Sequence, residues 1–164
     1  MDRDFGLTDD QREVVGAVRS FVAERVAPES SAREARGEFP RDWFAELGRM
    51  GLCGIPYDER HGGGGQPYLT YLAVLEELAT GSLTLAEALS VHHLSASAIA
   101  WYGSEELRAA YLPRLFAGEW LGAYALSEAS SGSDAASLRT RAERSDDGSM
   151  YSLTGSKRSS TTVG

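Results

Sequence analysis

Hydrophobic residues spaced three or four positions apart predict a helical beginning for this chain. Valines recur at every fourth position from Val14 to Val26, which gives a helix one apolar face. Thr8 and Gln11 have the spacing of a capping box, so the helix is predicted to begin after Thr8. Pro28 is predicted to end it, because proline cannot continue the hydrogen bonding of a helix interior. The polar stretch 30–38 then separates it from the next element.

Four further helices are predicted before the chain reaches Gly118. Pro40 suits the first turn of a short helix that ends at Gly51, and the other three cover residues 68–80, 83–102 and 104–118. The helix over 83–102 has small and apolar residues on nearly every face, which is typical of a helix buried among others. The Gly- and Pro-rich stretch 52–67 predicts a loop. In the helix over 68–80, the residues predicted to face inward are Tyr71, Leu72, Leu75 and Leu78.

The pattern changes to alternation after Gly118, where short strands are predicted over 120–126, 138–144 and 150–154. Turns rich in Ser, Asp and Gly separate these strands. The predicted fold class is therefore mainly α. An N-terminal helical bundle, residues 1–118, precedes the first strands of a β-barrel-like domain, residues 119–164.

The composition argues against several partners and compartments. The 164 residues carry a formal net charge of −8 with a single lysine, so nucleic-acid binding is not expected. Cys53 is the lone cysteine, which predicts a small buried apolar residue and leaves no disulfide or cysteine-based zinc site. The N-terminus is charged, and no apolar run approaches the roughly 20 residues that cross a membrane. A cytoplasmic protein without membrane contact is expected.

Short motifs follow one another in a characteristic order along the chain. The most specific is the run from Tyr124 to Glu128, followed by Gly132, Ser133 and Asp134. Those that precede it are Phe39-Pro40, Leu47-Gly48, Gly51-Leu52, His61-Gly62-Gly63, Glu76 to Ala79, Gly103, Tyr111-Leu112-Pro113 and Gly118-Glu119. Taken together, these motifs resemble those of the acyl-CoA dehydrogenases over nearly the whole chain.

The resemblance implies a helical N-terminal domain of the acyl-CoA dehydrogenase type, a middle β domain and a C-terminal four-helix domain. It also implies FAD as the cofactor and α,β-dehydrogenation of an acyl-CoA thioester, a reaction of fatty acid metabolism. A glutamate would remove the α-proton while hydride passes to the flavin, and an electron-transferring flavoprotein would collect the electrons. The resemblance also implies a homo-oligomer, a homotetramer for intact members of the family. No catalytic residue is assigned in this chain, because the family's catalytic glutamate lies beyond residue 164.

Binding roles follow from the same resemblance. The cofactor-binding residues would be Tyr124, Leu126, Ser127, Gly132 and Ser133. Ser133 would also contact the substrate, and the acyl pocket would be lined by Ser90, Val91 and Leu94. The alternatives are an ordinary strand with a Ser-rich loop, and core packing for the helix residues. The family has a proline where this chain has Ala129, so a looser loop and weaker flavin binding are expected.

Two other features allow a binding interpretation. His92 and His93 could form a metal-binding or proton-transfer pair, but neighbours in a helix point about 100° apart, so core histidines are favoured. The run Gly62 to Gly65 could be a phosphate loop. It lacks a preceding strand and a following Lys-Ser/Thr, so a purely conformational loop is favoured.

The last residues depart from the family pattern. After Lys157 the family has an aromatic residue and later Asn or His followed by Gly, whereas residues 158–164 of this chain lack them. With one plausible choice of codons, a single nucleotide added after the lysine codon restores the pattern. A shifted reading frame is one hypothesis for this end, and an engineered fragment with a vector-derived tail is the other. In either case the chain alone, with only the start of its middle domain, is expected to be inactive.

Three functions remain open at this point. The first is an acyl-CoA dehydrogenase by descent, and the second is a flavin-dependent monooxygenase or nitroalkane oxidase on the same fold. The third is a non-catalytic interaction module. Binding of FAD would separate the first two from the third.

Overall fold

The computed structural model describes residues 6–158. Within that range the helices are α1 Asp9–Phe21, α2 Ala27–Ala35, α3 Arg41–Arg49, α4 Tyr68–Gly81, α5 Leu83–Tyr102 and α6 Glu105–Phe116. The strands are β1 Arg141–Arg144 and β2 Tyr151–Thr154, and short 3₁₀ turns lie at Leu52–Gly54, Glu59–His61 and Ala135–Ser137. Helices followed by a first pair of strands confirm the predicted fold class. The tail that departs from the family pattern lies, from residue 159 on, outside the described residues.

The chain forms two compact units, Met1–Gly122 and Ala123–Gly164, which are called the helical unit and the β unit below. The predicted domain boundary after Gly118 remains a prediction. No helix in the described range is both long and apolar enough to cross a bilayer.

Side-chain caps fix three helix starts where the sequence predicts them. The Thr8 hydroxyl accepts the Gln11 N–H at 3.3 Å, and the Gln11 side chain accepts the Thr8 N–H at 2.8 Å. Ser82 and Ser104 cap α5 and α6 in the same way, accepting backbone N–H groups three residues ahead. Such caps satisfy donors that have no partner inside the helix, which is why local sequence locates these ends well.

The helix around Pro28 continues beyond its predicted end. A wide π turn, Val22–Val26, joins α1 to α2, and the Ala27 N–H donates to the carbonyl of Val22, five residues back. Pro28 therefore lies in the first turn of α2, where its missing N–H is tolerated. The predicted stop at Pro28 is wrong for this reason, and the polar stretch after it is helical as far as Ala35.

Arg33 on α2 holds the end of this helix against α3. Its guanidinium lies 4.2 Å from the ring centre of Trp43 and bonds the carboxylates of Asp42 and Glu29 at 3.0 Å and 2.9 Å. The hydrogen bond from Arg33 lowers the pKa of the Asp42 carboxyl below its usual value. A charged residue in a polar stretch thus adds a specific contact between two helices.

The core of the helical unit lies between α1, α3, α4 and α5. Its fully buried side chains include Phe44, Leu47, Val74, Leu78, Leu85 and Leu89. Cys53 is also fully buried, as predicted, and burial raises the pKa of its thiol to about 12. Leu72 is 47% exposed, so its predicted inward position is wrong, because α4 turns Tyr71 and Val74 to the core instead.

Helix α3 crosses the residues after α6 at very short range. A Cβ atom built on Gly48 would lie 2.8 Å from the Cα of Gly118, and one built on Gly118 would lie 2.9 Å from the Cα of Gly48. Gly118 also has a φ of 71°, a left-handed conformation that favours glycine. Glycine at both positions allows this backbone contact.

The β unit contains an antiparallel hairpin of β1 and β2. Arg141 pairs with Thr154 and Arg144 pairs with Tyr151, and all eight residues of the two strands are exposed. The strands predicted over 138–144 and 150–154 are therefore present in shortened form. The strand predicted over 120–126 is not among those that the structure describes. In that stretch, the Gly122 N–H donates to the ring of His92 on α5.

Candidate functional site

The three residues predicted to line an acyl pocket lie on one face of α5. Leu94 is 47% exposed, and Ser90 and Val91 are half-buried. Leu83, Ala98 and Trp101 continue this exposed face along the helix. The prediction that α5 is buried on nearly all sides is wrong, because α3, α4 and α6 pack against part of its surface. The helix thus presents a mostly apolar face that could contact a ligand or another part of a protein.

His92 lies on the buried side of the same helix. Its Nδ1 accepts the Gly122 N–H at 2.9 Å, so its proton is placed on Nε2. Burial lowers the pKa of His92 to about 4, and the ring is neutral at pH 7. This bond ties α5 to the segment that follows α6.

His93 is equally buried but has different partners. Its Nε2 lies 3.1 Å from the carbonyl of Leu52, and its ring stacks on Tyr71 with centroids 4.4 Å apart. Burial lowers the pKa of His93 to about 4 as well. In residues 6–158 no three His, Cys, Asp or Glu side chains are grouped as metal ligands. The packing therefore favours two core histidines over a metal-binding pair.

The amides of the glycine run are used within its own loop. Gly62 and Gly63 donate to the carbonyls of Glu59 and Asp58, and Gly64 and Gly65 donate to those of Gly54 and Tyr57, all at 2.8–3.1 Å. A phosphate loop needs such N–H groups turned toward a ligand. The loop is thus conformational, and its closed geometry leaves no amide cradle.

In the β unit, a tight turn follows the run from Tyr124 to Glu128, which is called the predicted flavin-binding segment below. Glu128 and Ser131 exchange backbone hydrogen bonds of 2.7 Å and 3.3 Å, which makes Ala129 and Ser130 a two-residue turn. The Ser131 hydroxyl then donates to the carbonyl of Asp134 at 2.5 Å. Ala129, the residue that departs from the family pattern, therefore lies in a turn closed by two backbone hydrogen bonds.

This turn brings two of the predicted cofactor-binding residues together. A Cβ atom built on Gly132 would lie 3.9 Å from the hydroxyl oxygen of Ser127 and would meet no other heavy atom within 4 Å. A hydroxyl and a side-chain-free backbone thus lie close together, and the lack of a side chain at Gly132 allows a ligand to approach the backbone. Ser133 follows Gly132 and is exposed, Tyr124 is 40% exposed, and Leu126 is half-buried. Ser90, Val91 and Leu94 belong to the other unit.

A charged pair, Glu128 and Lys157, holds this segment in place. The Glu128 side chain is only 7% exposed and lies 3.0 Å from the Lys157 Nζ. It also accepts the N–H groups of Arg139 and Thr140 at 2.8 Å and 2.9 Å and the Thr140 hydroxyl at 2.6 Å. These hydrogen bonds, the Thr140 hydroxyl first, lower the pKa of Glu128 to about 2.

Lys157 and its neighbour also reach the backbone of the predicted flavin-binding segment. The Lys157 Nζ donates to the carbonyl of Leu126 at 2.9 Å, and the Arg158 N–H donates to the carbonyl of Ser127 at 2.8 Å. In the sequence, Glu128 and Lys157 are recognisable only as two residues of opposite charge. Spacing alone could not reveal their contact, since 29 residues separate them.

Known proteins resemble this chain in both sequence and fold. The sequence profile described as "Acyl-CoA dehydrogenase, N-terminal domain" matches residues 8–119. An acyl-CoA dehydrogenase of Bacillus subtilis is 38% identical over 152 residues, which are 92% of this chain and 40% of that protein.

Two crystal structures show the same likeness. The butyryl-CoA dehydrogenase from Megasphaera elsdenii has a TM-score of 0.87 at 35% identity, over 94% of this chain and 41% of that one. The glutaryl-CoA dehydrogenase from Mycobacterium smegmatis, in complex with FADH2, has a TM-score of 0.88 at 34% identity, over 95% of this chain and 40% of that one. The chain thus spans about 40% of the length of the relatives it matches.

Proposed function

This chain belongs to the acyl-CoA dehydrogenase family, and on that premise we propose that it forms the acyl-contacting helical domain and the first flavin-contacting turn of such an enzyme. The closeness of the Ser127 hydroxyl to the side-chain-free backbone of Gly132 carries this proposal. The exposed face of α5 supports the acyl-binding part, because Leu94 lies there in a mostly apolar surface.

FAD is the cofactor that the turn fits. Bound FAD would accept a hydride from the β-carbon of an acyl-CoA thioester. The hydroxyl of Ser127 would donate a hydrogen bond to the ring edge, where negative charge accumulates on reduction. The backbone of Gly132 and the hydroxyl of Ser133 would approach a phosphate or the thioester arm of the substrate.

The complete reaction needs groups that these residues do not supply. Glu128, the acidic residue next to Ser127, is fully engaged with Thr140, Arg139 and Lys157, so it cannot act as the base. The α-proton would be removed by a glutamate in the part of the relatives that this chain does not match. An electron-transferring flavoprotein as acceptor and a homotetramer as the assembly belong to the same proposal.

Flavin binding by the 164-residue chain tests the proposal directly. Addition of FAD is expected to shift the backbone amide NMR signals of residues 126–133, because the ring current of the flavin acts over a short range. Ser127→Ala is expected to weaken binding about tenfold, since it removes one donor to a charged ring edge. Ser152→Ala, an exposed serine on β2, is the matched control and should leave the affinity unchanged.

Two outcomes would contradict the proposal. One is an FAD titration in which no amide of residues 126–133 shifts, which would favour a non-catalytic interaction module. The other is a Ser127→Ala variant with unchanged affinity. Steady turnover of an acyl-CoA by the chain alone would show that a base for the α-proton lies within these 164 residues.

A further inference from the structure

Two successive backbone carbonyl groups of the predicted flavin-binding segment, those of Leu126 and Ser127, already accept hydrogen bonds. The carbonyl of Leu126 accepts the Lys157 Nζ at 2.9 Å, and the carbonyl of Ser127 accepts the Arg158 N–H at 2.8 Å. A carbonyl oxygen near an electron-rich ring edge would repel it. Two donors that engage these carbonyls therefore weaken the negative potential that they would otherwise present.

Glu128 holds the Lys157 ammonium group, the donor to the Leu126 carbonyl, in place. One of its carboxylate oxygens accepts both the Lys157 Nζ and the Thr140 hydroxyl, and the other accepts the Arg139 N–H. A carboxylate with hydrogen bonds to both oxygens and an ammonium partner is costly to disturb, because breaking the pair leaves each charge without its partner. Lys157 is consequently kept where it reaches Leu126.

The residue type at position 157 supports a specific role. The chain has 15 arginines and one lysine, and that lysine stands here. A compact ammonium group donates in three directions, so it can bond a carboxylate and a carbonyl that do not lie in one plane. The donors of a guanidinium are fixed in one plane, so it fits two acceptors only where both lie near that plane.

We propose that Glu128 and Lys157 are positioning residues. Glu128 holds Lys157 on the Leu126 carbonyl, and this keeps the N–H of the next residue, Arg158, on the Ser127 carbonyl. The segment then presents hydrogen-bond donors to the electron-rich edge of a flavin ring. The proposal rests on the proposed function for the identity of the ligand. The occupation of the carbonyls is a property of the chain itself.

Amide hydrogen exchange, measured by NMR on the flavin-free chain, tests the positioning directly. The Arg158 amide reports on the Ser127 carbonyl because it is its donor. Lys157→Met and Glu128→Gln are each expected to raise its exchange rate about tenfold, while the amides between β1 and β2 stay unchanged, because the opening is local. Glu143→Gln on the exposed face of β1 is the matched control and should change neither. Unchanged exchange at Arg158, or an equal rise throughout the hairpin, would overturn the proposal.

The reduction potential of bound FAD tests the consequence for the ligand. Lys157→Met is expected to lower the reduction potential. Without Lys157 the hydrogen-bond donors of the segment are displaced, and they stabilise the reduced flavin less. Lys157→Arg should restore part of the shift, since arginine still bonds Glu128. A variant that binds less FAD at an unchanged potential would show a merely structural pair. If the unmodified chain takes up no FAD, the proposed function fails, and the exchange of Arg158 still decides the positioning.

Discussion

Lowering the pH from about 7 to about 5 is expected to reduce the free energy of unfolding of the helical unit by about 4 kcal/mol. His92 and His93 are buried and neutral, with pKa values of about 4 in place of the usual 6.5. The unfolded chain takes up two protons over this interval that the folded chain does not, so stability falls as the pH drops below 6.5. The loss amounts to about 1.4 kcal/mol per pH unit for each histidine and levels off below pH 4.

Urea unfolding followed by circular dichroism at several pH values measures this loss. His92→Asn keeps an acceptor for the Gly122 N–H, and His93→Gln keeps a donor for the Leu52 carbonyl, but neither side chain titrates. Each variant should show half the pH dependence, and the double variant almost none. Carboxylates with lowered pKa values, such as Asp58 at about 2, add their own loss at more acidic pH. An unchanged slope in the double variant would contradict the assignment to these two rings.

Gly48→Ala is expected to destabilise the helical unit by about 3 kcal/mol, the upper part of the usual range for an overpacked site. The added methyl group would meet the backbone of Ala117 and Gly118, with 2.8 Å to the Cα of Gly118. Backbone atoms cannot turn aside as a side chain can, so α3 and the residues after α6 must separate. The measurement is the free energy of unfolding in urea.

Gly16→Ala provides the matched control, because the substitution is the same and the position is also inside a helix. A Cβ atom on Gly16 would meet no heavy atom within 4 Å. Removing a helical glycine without a clash stabilises by roughly 0.5–1 kcal/mol. The two variants should therefore change stability in opposite directions. Changes of the same sign would show that the contact at Gly48 is not as close as described.

Local signals made the helices predictable. Thr8, Ser82 and Ser104 cap their helices through neighbours three residues ahead, and the apolar spacing of α3 and α4 matches the core. Pro28 was misleading because it is accommodated by the π turn before it. That turn depends on one backbone hydrogen bond, from the Ala27 N–H to the Val22 carbonyl, which no residue pattern predicts. The burial of α5 was overestimated because small and apolar residues permit contact on every face without requiring it.

The tertiary connections of the candidate segment could not be predicted, although its motif marked the segment. The motif around Ser127 named the segment and the turn after it, and the structure brings Ser127 close to Gly132. The contacts of Glu128 with Thr140 and Lys157 depend on how residues 12 and 29 positions away return to it. Such pairings arise from tertiary folding, so no local spacing contains them.

The π turn at Val22–Val26 sets the rotation of α2 relative to α1. It holds one residue more than a regular α turn, so regular winding of the same residues would rotate all of α2 by about 100°. Arg33 would then leave the face of Trp43, and Asp42 would lose its partner. A stretch one residue shorter would keep that contact with an ordinary helix, so the wide turn is the form in which this chain accommodates its additional residue.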